Sequence, residues 1–88
     1  MDSASFSGVI IKEEVKGGWT YVVWPQSADF LGTRRATKVL AKIGRHEFNV
    51  TCLPVGDGTH MVPLSKSVMS SIGKTAGDTV VVEVRKLK

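Results

Sequence analysis

The chain has a single cysteine, Cys52, and only two histidines, His46 and His60. One thiol closes no internal disulfide, and these scattered ligands lack the paired spacing of a structural zinc site. A reducing cytoplasm, with no metal or other cofactor, is therefore the expectation. No apolar run approaches the length a bilayer-spanning helix needs, and no basic-then-apolar leader opens the chain, which predicts a soluble, unexported protein without a membrane partner. Also missing are a glycine-rich phosphate loop, HExxH and GxSxG. What remains for nucleophile and base work is Cys52, His46, His60 and Asp78, and each has a simpler reading. Cys52 follows Phe48 and Val50 on an apolar strand face, where a thiol serves as a small hydrophobe. Asp78 follows Gly77, where a carboxylate accepts backbone N–H bonds. The sequence thus predicts a protein that is not an enzyme.

With 88 residues there is room for one domain, 42% hydrophobic and 23% charged, an ordinary globular composition. Nine glycines among short Val and Ile runs favour strands joined by tight turns. Residues 1–5 are small and polar and read as a disordered terminus, leaving 6–88 as the folded domain.

Phe6 to Val15 reads as a first strand, with a turn at Lys16-Gly17-Gly18. Trp19 to Trp24 is aromatic and β-branched throughout, a second strand that Pro25 ends. Ser27 to Leu31 suits one helical turn or a loop. Thr37 to Ile43 alternates regularly, with Thr37, Val39, Ala41 and Ile43 on one face and Lys38 and Lys42 on the other. Gly44-Arg45 is a two-residue connection with glycine first, as a type II′ hairpin prefers, and His46 to Leu53 is the return strand. Pro54 to Gly58 is a turn and Thr59 to Leu64 a strand. Ser65 caps a helix over Lys66 to Ile72, which Gly73 closes. Thr79 to Val84 is a strand expected to be buried at its centre.

A shift of 38 positions lays Pro25 on Pro63, Ser27 on Ser65, and Phe30-Leu31 on Val68-Met69. Each half then reads strand, Pro-x-Ser, apolar cap, strand. The fold class expected is mainly β: a small closed or partly open pseudo-twofold (double-split) β-barrel of about six strands, with one or two short capping helices.

Net charge is +4 and unevenly spread. Residues 34–48 carry Arg34, Arg35, Lys38, Lys42 and Arg45 against Glu47 alone. That stripe is the candidate nucleic-acid contact, by phosphate attraction without base-reading residues; as a solvated strand face it would simply keep an edge soluble. Trp19, Tyr21 and His60 are the candidate ligand or stacking residues. Trp24 lies on the face opposite Trp19 and Tyr21, and two of these three aromatics are expected in the core.

Two resemblances rest on these residues. Val62-Pro63-Leu64-Ser65-Lys66, Ile72-Gly73-Lys74 and Gly77-Asp78-Thr79-Val80 resemble the swapped-hairpin module of AbrB and MazE type regulators, which bind DNA as dimers. Trp19 to Pro25, Gly44 to Phe48, Leu53 to His60, and Ile72-Gly73-Lys74 with Gly77-Asp78 resemble a bacterial and archaeal family called domain of unknown function 1905. That family implies a single-chain double-split barrel, often ahead of a YdeI/OmdA-like domain, and brings no activity with it. One chain holding both halves suits a monomer as well as a homodimer. The leading expectation is a non-catalytic barrel module with an unknown partner or ligand; the alternative is an AbrB-like DNA-binding regulator or antitoxin-type protein.

Overall fold

The computed structural model describes residues 3–13 and 18–87. Glu14 to Gly17, which include the end of the expected first strand and most of its turn, lie outside the described residues, as do Met1, Asp2 and Lys88. Seven strands and two helices follow in order: β1 (Ser3–Val9), β2 (Ile11–Lys12), β3 (Thr20–Trp24), α1 (Ser27–Leu31), β4 (Thr37–Ile43), β5 (His46–Pro54), β6 (His60–Pro63), α2 (Lys66–Ile72) and β7 (Thr79–Lys86). All observed pairings are antiparallel, in the order β1-β7-β4-β5-β6-β3-β2.

The two ends of that order are one bent strand. β2 resumes β1 after Ile10 alone, and Ile10 exchanges backbone hydrogen bonds with the Gly77-Asp78 segment: its N–H donates to the Asp78 carbonyl at 2.9 Å, and its carbonyl accepts from Gly77 at 2.8 Å. The sheet therefore rolls into a nearly closed barrel, which has the expected six strands when β1 and β2 count as one. The barrel is also pseudo-twofold. Exchanging β3 with β6, β4 with β7, and β5 with the bent strand leaves every neighbour relation unchanged. The equivalent strands β3 and β6 pair with each other, as do β4 and β7.

Local signals account for most elements. In β4, Val39, Ala41 and Ile43 are buried while Lys38 is exposed, the alternation its sequence predicts. Gly44 has φ +61°, and no non-glycine residue described has positive φ. That combination fits a II′ turn and excludes I′, which needs both central residues left-handed. The Ser65 hydroxyl accepts from Val68 N–H at 3.2 Å, and Gly73 closes α2 by donating to the Met69 carbonyl at 3.1 Å. The Asp78 carboxylate accepts from Thr75 N–H at 2.9 Å.

Three expectations change. Ser3, Ala4 and Ser5 are not a frayed end: they lie opposite Arg85, Val84 and Glu83 in the β1–β7 ladder. Strand pairing there outweighs their poor intrinsic β-propensity. β7 is not buried through its centre but alternates, with Val80, Val82 and Val84 inward and Val81 and Glu83 exposed, because its outer face meets solvent. Of the three aromatics only Trp24 is buried; Trp19 stays 46% exposed and Tyr21 half-buried.

Candidate functional site

The residues singled out in the sequence do not form one site. His60 is fully buried, as is Ser27, the first residue of α1. The His60 Nε2–H donates to the Arg35 carbonyl at 2.9 Å, which leaves Nδ1 as the acceptor for the Ser27 hydroxyl at 2.5 Å. A serine beside a histidine is the layout of an activated nucleophile. Here, with neither residue exposed and every side-chain polar atom partnered, the pair fastens α1 and the Arg35 segment to β6. His60 is therefore removed from the ligand candidates. Cys52 is also fully buried, and burial pushes its thiol up to about 11. It is held as a neutral thiol at ordinary pH. Among the described residues no three His, Cys, Asp or Glu side chains gather as a metal site, and no helix is long and apolar enough to cross a membrane.

The basic stripe is broken by register. Lys42 lies directly opposite Glu47 on β5 and Glu83 on β7, so two carboxylates flank it on its own face. Leu40, between the two lysines, faces Asn49 and Arg85. Arg34 and Arg35 are exposed in the segment before β4, and Arg45 sits in the hairpin turn at its far end. Tyr21 pairs with Ile11 and Pro63. Burial raises its phenol above the ordinary value, and the negative charge of the Glu13 carboxylate adds to the rise.

Trp19 does border a site. An open groove of about 1330 Å³ lies between β5 and α2, bounded also by Lys12, Trp19 with Thr20 at the start of β3, and the Lys74 to Ala76 loop. Its apolar lining includes Trp19, Phe48, Val50, Leu64, Val68 and Met69. Among the described residues its charged lining is Lys12, Lys66 and Lys74, with no acidic residue beside them. Sequence reasoning missed these lysines because they come from three distant segments, and the pattern drew attention to the denser run at 34–48.

The groove exists because β5 is only partly paired. β4 covers it from His46 to Cys52, whereas β6 pairs only Leu53 and Pro54 before leading off towards α2. Symmetry places a second such split between β1 and β3, and there it is filled. A Cβ on Gly8 would fall well under 3.0 Å from Val22 Cγ1, so the two strands are in close contact. Phe6 stacks on Trp24 with ring centroids 5.0 Å apart, and Phe30 of α1 packs against the same indole, tilted, at 5.6 Å. One split of the barrel is thus plugged by aromatics, and the other stands open.

Fold and site together define a small pseudo-twofold β-barrel domain with one open, cationic, apolar groove. The chain belongs to the family described as Domain of unknown function (DUF1905), whose model matches residues 6–84. No curated protein matches the chain.

Proposed function

We propose that this barrel is a non-catalytic binding module whose groove between β5 and α2 takes an anionic ligand with a large apolar surface. The observation that carries this reading is the groove's lining: among the described residues, an apolar floor and three lysines with no carboxylate. A site shaped this way favours occupants whose acidic groups reach the lysines while apolar parts cover Phe48, Val50 and Met69. Catalysis is not part of the reading. The one serine–histidine pair is sealed in the core, and the one thiol is buried and neutral.

The test is a titration with decanoate and with a decapeptide of alternating valine and glutamate, followed by tryptophan emission. Trp19 borders the groove while Trp24 is buried, so Trp19→Phe should abolish the response. Replacing Lys12, Lys66 and Lys74 together by Gln should weaken binding roughly tenfold, since each exposed charge contributes about 0.2–1 kcal/mol. Unchanged affinity in the triple variant would overturn the proposal.

A further inference from the structure

We infer that the groove's occupant is an extended, acidic-and-apolar peptide segment that adds to the free edge of β5 as an extra strand. This occupant presupposes that the groove binds anionic ligands at all, and it specifies their form.

The edge follows from hairpin geometry. In a two-residue hairpin the residues flanking the turn, here Ile43 and His46, exchange both backbone hydrogen bonds, and bonded and non-bonded pairs then alternate outward. His46, Phe48, Val50 and Cys52 therefore spend their backbone groups on β4. Glu47, Asn49, Thr51 and Leu53 point theirs the other way. Leu53 meets Met61 of β6. For Glu47, Asn49 and Thr51, no hydrogen bond from the described residues reaches the outward N–H or C=O. An edge of that kind is a template for another strand.

The groove lies along this edge. Phe48, Asn49, Val50 and Thr51 all line it, although neighbouring strand residues point to opposite faces. Consecutive residues can border one groove only where the strand's edge, not a face, forms the wall. The size favours a chain over a compact molecule: about 1330 Å³ exceeds the roughly 300–1,000 Å³ of pockets that enclose small ligands. In an added strand, alternate side chains would turn towards Phe48, Val50 and Val68, and the others would turn outward towards the lysines. Alternating apolar and acidic residues satisfy both sets.

The experiment uses the whole chain with the valine–glutamate decapeptide, a valine–lysine decapeptide of the same length, and decanoate. The valine–glutamate peptide should slow amide exchange at Glu47, Asn49 and Thr51 by tenfold or more, and the valine–lysine peptide should leave it unchanged. Asn49→Pro removes one outward N–H without touching the β4 ladder, a placement proline tolerates on an edge. It should weaken the peptide by roughly tenfold while decanoate still binds, and the exchange data on the unaltered chain stand even if that variant folds poorly. Peptide and decanoate both binding with unchanged exchange at these three amides would overturn strand addition and leave the groove reading standing. Neither probe binding would overturn both.

Discussion

Gly8→Ala should destabilise the barrel, and Val22→Ala should relieve most of that effect. The Cβ added at residue 8 would fall well inside 3.0 Å of Val22 Cγ1 and 3.5 Å from the Val23 carbonyl oxygen. Val22 is fully buried and β-branched, so its methyl has no free rotamer into which to retreat. Overpacking of this kind costs about 1–3 kcal/mol. Against it stands the lower unfolded-chain entropy of alanine, about 0.4–1 kcal/mol in favour of the variant. The packing cost wins, for a net loss of about 1–2 kcal/mol. In a domain of this size that lowers the midpoint of thermal unfolding by roughly 4–16 °C. Val22→Ala alone leaves a cavity and should cost about 2 kcal/mol. The double variant frees the space the new methyl needs, so its loss should fall short of the sum by about 1–2 kcal/mol. Urea unfolding of all four proteins gives the coupling. Strict additivity, or a neutral Gly8→Ala, would refute close contact between β1 and β3 at the filled split.

Other residues give separate checks. Ser27→Ala strips the His60 Nδ1 of its one partner among the described residues, inside the core, and should cost about 1–3 kcal/mol in urea unfolding; a loss below about 0.5 kcal/mol would show that Ser27 is not needed there. Cys52, buried with its thiol pushed up to about 11, should react with a thiol reagent near neutral pH only as fast as the barrel opens. A rate that ignores added stabilising osmolyte would contradict its burial. The Asp57 carboxylate accepts from the Thr59 hydroxyl and, at 3.0 Å, from its N–H, and these bonds hold its pKa below the ordinary value. Because the folded value is the lower one, its contribution to stability is complete above the ordinary Asp value near ~3.9 and is lost as pH falls through the folded value. A carboxyl titration by NMR should give a midpoint below that of the unfolded chain, and Thr59→Val should move it up.

Whatever the chain specifies within a few residues was legible in the sequence. Alternation placed β4 and its buried face, glycine before arginine placed the II′ hairpin, and Ser65 and Gly73 marked both ends of α2. The offset of 38 residues foretold a pseudo-twofold arrangement because Pro25 and Pro63 each end one of two equivalent strands. What depended on pairing between distant segments was hidden. Ser3 to Ser5 carry little strand signal of their own and are ordered by β7. Lys42 belonged to a basic run in sequence, but register sets it between Glu47 and Glu83. His60 stood among the ligand or stacking candidates until Ser27, 33 residues earlier, and the Arg35 carbonyl enclosed it. The groove was least visible of all, since Lys12, Lys66 and Lys74 meet only after β6 leaves β5 and α2 sits across the gap.

The most direct measurement on the open split is a set of intermolecular NOEs between the uniformly labelled chain and the unlabelled valine–glutamate decapeptide. Strand addition in the groove predicts backbone contacts from the peptide to Glu47, Asn49 and Thr51, with valine side chains against Phe48, Val50 and Val68. Contacts gathered instead around Arg34, Arg35 and Lys38, with none to β5, would contradict it.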